Sequence, residues 1–287
     1  MRKKGKMSRT FPDLKRYQQS VFYYSDMVAK DDPVIKNRPN FYFGGLTHLL
    51  IDDIGSEVIS FSFRNNYTVR IKPENTEFEK IVSNAFSNDR DHLYFQSGPL
   101  IENTRNFFQS TAKILASYGE CIYEFVDLLD QETGELKAFE VSLIEPQTLK
   151  RKRKKWVQYV PKAIAVSRNI DRYIPVESER LLIFRLPEQF HKKWMQIMKN
   201  LASTEDLIPE FGFPSFGAQQ NKVPFDFNQH HILREQFVAR LTNEIGWNMR
   251  KYPHDGMLEY YWFHRFLKFE RFKIELRISF LNTLIKV

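Results

Sequence analysis

The chain has 287 residues, of which 42% are hydrophobic and 15% are aromatic, so it can form a sizeable packed core. This composition argues against an intrinsically disordered protein, and the single cysteine, Cys121, excludes an intramolecular disulfide and a zinc site built from several thiolates. The formal net charge of +8 is concentrated in residues 1–10 and in the run 150–155, which makes a polyanion a natural partner.

The same composition indicates where the protein works. No run of about 18 apolar residues is present, so we expect no membrane-spanning segment. The basic residues at the start are not followed by an apolar segment, which argues against a secretory signal. A single cysteine fits a reducing compartment. We therefore expect a cytoplasmic or virion location and no secretion.

Apolar spacing and turn residues predict the elements of the first 119 residues. They are a disordered basic arm over 1–10, a helix over 12–29, a strand hairpin over 57–71, and helices over 74–87 and 100–118. Gly119 should end the last of these, because glycine adopts the left-handed conformation at low cost.

The segment after Gly119 is the clearest β region. Strands are predicted over 121–129 and 136–144, joined by a turn containing Thr133 and Gly134. Cys121 is expected to act as a small buried hydrophobe in the first strand. Further extended pieces are predicted over 156–160 and 181–186.

Helices dominate the rest of the chain. A short helix is predicted over 192–201, then two long ones over about 228–251 and 256–286. The last helix is apolar around most of its circumference, so it needs cover on more than one side. We predict that Phe266, Phe269 and Phe272 do not all lie in one subunit's own core and that at least one sits at an interface.

These elements predict an α+β fold, with antiparallel β hairpins in the middle of the chain flanked by helices and two long C-terminal helices closing it. The predicted organisation is an arm over 1–10, a mixed α+β domain over 11–190 and a helical region over 191–287.

The run 150–155 is the strongest functional signal. Six like charges repel one another, and an anionic partner relieves that repulsion. If all six contacted phosphates, the slope of log affinity against log salt would approach about −5. A solvated loop, a nuclear import signal and an acidic protein partner remain alternatives. The predicted nucleic-acid contacts are Lys150, Arg151, Lys152, Arg153, Lys154, Lys155 and Trp156, the last by stacking on a base or by clamping the loop.

Catalytic signals are weak. The sequence has no phosphate-binding loop, dinucleotide fingerprint, zinc-protease motif or nucleophile elbow. Asp127, Glu135 and Lys137 fit the loose D…E-x-K pattern in which two carboxylates hold Mg²⁺ and a lysine orients water. The same residues are also common in solvated hairpin turns. Magnesium is implied only if this pattern is a nuclease site; otherwise we expect no cofactor.

The order of elements over about 90 residues resembles part of the tailed-phage portal protein family. The matching pieces are a helix, a strand opened by Gly119, a hairpin turn at Thr133-Gly134, a proline-containing loop at Leu143-Ile-Glu-Pro, a tyrosine-containing stretch over 156–160 and a late apolar strand after Ile174-Pro. The chain is short for that family and lacks its Gly-Ser-Pro segment after the late strand. The resemblance implies a ring oligomer that binds DNA non-specifically and performs no chemistry.

Our leading hypothesis is therefore a non-enzymatic, portal-like assembly protein of viral or phage origin that contacts nucleic-acid backbone through its basic segments. We expect it to form a homo-oligomer or to be a subunit of a complex. The alternatives are a Mg²⁺-dependent nuclease and an interaction subunit of a larger complex.

Overall fold

The computed structural model describes residues 14–20, 45–57, 70, 72, 74–87, 100–153, 155–210, 227–249 and 259–285. Within these residues the helices are α1 (Leu46–Glu57), α2 (Thr76–Ser87), α3 (Leu100–Tyr118), α4 (Lys162–Arg168), α5 (Glu188–Glu210), α6 (Phe227–Leu241) and α7 (Glu259–Ile285). The strands are β1 (Leu14–Tyr17), β2 (Glu120–Asp130), β3 (Leu136–Ile144), β4 (Leu149–Lys152), β5 (Lys155–Tyr159), β6 (Tyr173–Val176) and β7 (Leu181–Arg185). The predicted α+β class, with mid-chain antiparallel hairpins and two closing helices, is confirmed.

The larger sheet is built around β2. The hairpin partner β3 covers one edge of β2, with Phe125 opposite Val141. The other edge is shared, because β7 pairs with Glu120–Glu124 and β1 pairs with the end of the strand, where Tyr17 lies opposite Asp127. All three pairings are antiparallel, as expected for strands joined by hairpins and returns.

One face of this sheet packs on α3. Cys121 and Tyr123, two positions apart on β2 and therefore on the same face, are fully buried there beside Phe107 of α3. The Tyr123 hydroxyl lies 2.9 Å from Thr111 Oγ1, so its polar end is satisfied inside the core. The prediction that Cys121 is a buried strand residue is confirmed.

The same core continues into the last helices. The ring of Phe272 on α7 stacks on Trp194 of α5 with centroids 5.7 Å apart, and Phe280 contacts Phe184 of β7 edge to face at 5.2 Å. Trp194 donates its indole N–H to the carbonyl of Ala116 on α3, 2.6 Å away. One hydrophobic cluster therefore contains residues of both the predicted α+β domain, 11–190, and the predicted helical region, 191–287.

The second sheet is small. Its strand order is β4-β5-β6, all antiparallel, and α4 connects β5 to β6. Leu149 of β4 and Val176 of β6 bury their side chains against Ile122 and Ile144 of the larger sheet. This contact attaches the small sheet to the face of β2 and β3 opposite α3.

Three predicted elements differ from the structure. Residues 14–17, predicted as helix, form β1, because the far end of β2 offers an open edge with which they pair. The helix predicted over 192–201 is longer, since α5 begins directly after Pro187 and reaches Glu210. The helix predicted to reach residue 251 ends at Leu241, and Gly246 then takes a φ of 73°. The arm over 1–10 and most of the hairpin over 57–71 lie outside the described residues.

Among the helices that the structure describes, none is both long enough and apolar enough to cross a lipid bilayer.

A candidate nucleic-acid interface

The basic run forms the tip of a hairpin made by β4 and β5. Lys152 lies opposite Lys155, so residues 153 and 154 alone connect the two strands. Arg153 adopts a φ of 48°, in the left-handed region where tight hairpin turns are usually occupied by glycine, asparagine or aspartate. An arginine costs about 1–2 kcal/mol in this conformation. An arginine therefore occupies a position whose backbone conformation favours glycine, asparagine or aspartate. We call residues 149–159 the basic hairpin.

The alternation of side chains along the hairpin gives it an outer face. Lys150 lies opposite Val157, and its Nζ is 5.3 Å from the centroid of the Tyr159 ring, a cation–π distance. Tyr159 in turn contacts Tyr173 of β6 edge to face, with centroids 4.9 Å apart, and the Tyr173 side chain is 58% exposed. The outer face thus combines lysines with two accessible aromatic rings.

The two tyrosines were missed by the sequence analysis. Period-two alternation from Lys155 puts Tyr159 on the lysine face, so this residue could have been found from the sequence. Tyr173 could not, because only the register of β5 with β6 brings it beside Tyr159.

Among the described residues, the protein does not neutralise the exposed cations of the hairpin. Lys150, Arg151, Lys152, Arg153 and Lys155 are all exposed, and no carboxylate in the described part of the chain lies within ion-pair distance of them. The small sheet and α4, residues 149–176, contain nine basic residues and one acidic residue, Asp171. The positive charge is therefore a property of this whole unit as well as of its tip.

Trp156 has a different role from its neighbours. It faces inward from β5 and packs, half-buried, against the cluster of Leu149 and Val176, so it anchors the hairpin to the larger sheet. Its edge also lines an open groove of about 830 Å³, which Lys155, Glu177 and Glu179 line as well. Because two carboxylates border this groove, the outer face is the better surface for phosphates.

The residues of the nuclease pattern are held in separate pairings. The Asp127 carboxylate forms an ion pair with Arg180, whose Nη1 also donates to the carbonyl of Phe125 at 3.2 Å. The Arg180 guanidinium lies over the Tyr17 ring, 5.2 Å from its centroid, and so fills the edge of β2 between β1 and β7. Burial alone would lower the pKa of Arg180, but the hydrogen bond and charge of Asp127 raise it above its ordinary value.

Glu135 and Lys137 lie at the exposed end of the β2–β3 hairpin. Their side chains pair with each other at 3.1 Å. The turn is organised by Asp130, whose carboxylate accepts the backbone N–H groups of Glu132 and Thr133 at 2.9 Å, and these hydrogen bonds, with that from Thr133 the larger, lower the pKa of Asp130. Among the described residues, no group of three or more histidine, cysteine, aspartate or glutamate side chains is arranged to hold a metal ion.

The three phenylalanines proposed for an interface fall in two places. Phe269 and Phe272 are buried in the chain's own core, where they stack on each other with centroids 6.3 Å apart. They are therefore not available to a partner, and their assignment as interface residues is corrected here. Phe266 is 51% exposed. The helix spacing of 3.6 residues per turn explains the difference, because it turns position 266 away from the core side on which positions 269 and 272 lie.

No protein-family model matches the chain, and no curated protein is significantly similar to it in sequence.

Proposed function

We propose that the protein binds nucleic-acid backbone through the basic hairpin, as a non-enzymatic, portal-like assembly protein. The observation that carries the proposal is a group of exposed cations on one hairpin with no carboxylate of the described residues at ion-pair distance. Such a group is repulsive by itself and attracts a polyanion at long range.

The placement of the cations supports contact with a backbone. Lys150 and Lys152 project from the same face of β4, about 7 Å apart, because successive residues of a strand rise by about 3.4 Å. Lys155 continues this row on the neighbouring strand. Contacts of this kind go to phosphates and carry no base sequence, so the binding should be non-specific.

The aromatic rings support a further contact with unpaired bases. Tyr173 is exposed beside Tyr159, and a base that stacks on an accessible tyrosine gains about 1–3 kcal/mol. Duplex DNA keeps its bases stacked inside. Binding by phosphate contact alone should therefore be similar for duplexes of any sequence, whereas single strands should gain from the tyrosines.

The test is a threefold variant of the outer-face cations, Lys150→Gln, Lys152→Gln and Lys155→Gln, measured against random-sequence duplex DNA over a series of salt concentrations. Each phosphate contact contributes about −0.9 to the salt slope, so the slope should become shallower by about 2.7. The loss should be the same for unrelated sequences.

The matched control removes three exposed cations elsewhere, with Lys80→Gln, Lys199→Gln and Arg240→Gln. It lowers the net charge equally and should leave the slope almost unchanged. Equal losses in both variants, or an unchanged slope in the hairpin variant, would overturn the proposal.

Two other outcomes would redirect it. If the wild type cleaves DNA in Mg²⁺ and Glu135→Ala abolishes cleavage without unfolding the chain, the nuclease alternative replaces the proposal. The pairing of Asp127 with Arg180 leads us to expect no cleavage. If the hairpin variant binds DNA normally but loses an acidic protein partner, the interaction-subunit alternative replaces it.

A further inference from the structure

Helix α7 has a second apolar face, on the side opposite the core. The buried side is formed by large residues that include Phe272 and Leu276, both with no exposed area. The outer side carries seven apolar residues that are each between 49% and 81% exposed: Tyr260, Phe263, Leu267, Ile274, Ile278, Leu281 and Ile285. We call these seven residues the outer stripe.

The outer stripe is narrow and regular. Successive members are three, four, seven, four, three and four residues apart. At 100° per residue this spacing keeps all seven within an arc of about 60°, centred opposite the buried residues. At 1.5 Å per residue, positions 260–285 extend for about 38 Å. Apart from the step of seven, which passes the charged Glu270 and Arg271, these are the steps of three and four with which one helix packs along another.

We propose that the outer stripe binds the outer stripe of a second copy of this chain, with the two α7 helices antiparallel. This pairing concerns a different face from the basic hairpin, so it does not depend on nucleic-acid binding. It covers apolar side chains that the described residues of a single chain leave exposed along the helix.

The charges beside the stripe select the second copy and its direction. Glu270 and Arg277 border one edge of the stripe, while Arg271 and Glu275 border the other. Within the helix Arg271 pairs with Glu275 at 2.8 Å and Glu270 pairs with Lys273 at 2.6 Å, so contacts with a second copy would extend these pairs into a network. In an antiparallel pair related by a two-fold axis, each edge of the stripe lies beside the same edge of the other helix. Glu270 then lies opposite Arg277 of the second copy, and Arg271 lies opposite Glu275 of the second copy, each twice. Opposite charges at such flanking positions set partner and orientation in paired helices.

A parallel pair has the reverse electrostatics. In that arrangement the edge with Glu270 and Arg277 lies beside the other helix's edge with Arg271 and Glu275. A residue on the first edge then faces the position about five residues further along the other helix. Glu270 would then face Glu275 of the second copy, twice, which is destabilising. The antiparallel arrangement is also isologous and closes at two copies, so a portal-like ring would need additional head-to-tail contacts on a separate surface of the chain.

The register follows from the same charges. Placing Glu270 opposite Arg277 of the second copy centres the pair between residues 273 and 274. Ile274 then lies beside the two-fold axis, next to Ile274 of the second copy. Tyr260 lies near Ile285 of the second copy, at the far end of the stripe.

Cysteine cross-linking tests this register directly, because the native Cys121 is fully buried and leaves an added cysteine as the accessible one. Under mild oxidation of the full-length chain, Ile274→Cys should give a covalent dimer. Tyr260→Cys and Ile285→Cys should each give little cross-linking alone and a covalent dimer when mixed. Val166→Cys, on the exposed side of α4, is the control and should stay monomeric on a non-reducing gel.

A charge substitution tests the contribution of the stripe. Ile274→Glu places two carboxylates side by side at the axis, and light scattering should show the mass falling from two chains to one, with an unchanged circular dichroism spectrum. Val166→Glu, the same change to glutamate at an exposed position away from the stripe, should leave the dimer intact.

Each contrary result has a definite meaning. A wild-type monomer at tens of micromolar would overturn the proposal and leave the stripe to another protein, a lipid surface or another segment of this chain. A larger oligomer that survives Ile274→Glu would place the assembly contacts elsewhere. Cross-linking of Tyr260→Cys with itself would refute the antiparallel direction.

Discussion

Gly246 should be the least replaceable glycine among those that the structure describes. It follows α6 with a φ of 73°, and a Cβ added there would lie 2.1 Å from the carbonyl oxygen of Arg265 and 3.0 Å from the amide nitrogen of Phe269. Both are backbone atoms of α7, so no side-chain rotation can relieve the contact. The turn after α6 therefore approaches α7 more closely than any residue with a side chain allows.

Gly246→Ala should lower the free energy of unfolding in two ways. The left-handed conformation alone costs about 1–2 kcal/mol. Moving α7 away from the turn should add about 1–3 kcal/mol, the usual effect of overpacking. It would also disturb the buried Arg265, which donates to Ala239 O at 2.7 Å and to Thr242 Oγ1 at 2.9 Å.

Gly134 supplies the matched control. Its φ is 71°, but an added Cβ would meet nothing within 4 Å. Gly134→Ala should therefore show the conformational cost without the steric one. Urea unfolding followed by tryptophan fluorescence should give a lower midpoint for Gly246→Ala than for Gly134→Ala. Equal midpoints would refute the close approach of the turn to α7.

Two further predictions use other sites. Phe272→Ala should lower the free energy of unfolding by about 3–5 kcal/mol because the ring is fully buried, whereas Phe266→Ala should change it by less than about 1 kcal/mol; similar losses in chemical denaturation would contradict their placement. Burial raises the pKa of Glu120 although Arg185 lies nearby, so the folded state favours the neutral carboxyl group. The stability that this group contributes is therefore present at low pH and is lost as pH rises through the folded pKa. Glu120→Gln should therefore raise the melting temperature at pH 7 more than at pH 4, and a lower melting temperature at pH 7 would refute that sign.

The sequence predicts best the elements whose signals are local. The strands on either side of Thr133-Gly134 are short apolar stretches rich in aromatic and β-branched residues and bounded by Gly119 and Pro146, so their positions can be predicted from neighbouring residues alone. The helix before Gly119 is equally local, since its apolar stripe and its glycine stop lie within one segment.

Elements decided by distant partners are harder to predict. Leu14–Tyr17 has no strand alternation of its own and becomes β1 only because Asp127–Asp130 offers an edge. The last helix is similar, because apolar residues around its whole circumference indicate that it needs two partners without indicating which face meets the core. The assignment of Phe269 and Phe272 to the core required the positions of Trp194 and Phe190.

The candidate site likewise has one feature that the sequence predicts and others that it does not. The charge of the basic hairpin is evident from six consecutive residues. The inward position of Trp156 and the contact of Tyr159 with Tyr173 depend on the register of three strands, which no short segment encodes.

The pairing of β1 with β2 has a consequence for the order of folding. The two strands are separated by about 110 residues, whereas β2 and β3 are joined by a five-residue turn. Because closing a long loop is slow, the hairpin should form first and expose the far edge of β2 until residues 14–20 arrive. Those residues then also donate the backbone N–H groups of Gln19 and Ser20 to the buried carboxylate of Glu124. During synthesis, residues 14–20 therefore cannot pair with β2 until the ribosome has released residue 130. Between the formation of the β2–β3 hairpin and the arrival of residues 14–20, the open edge of β2 is a site for intermolecular pairing.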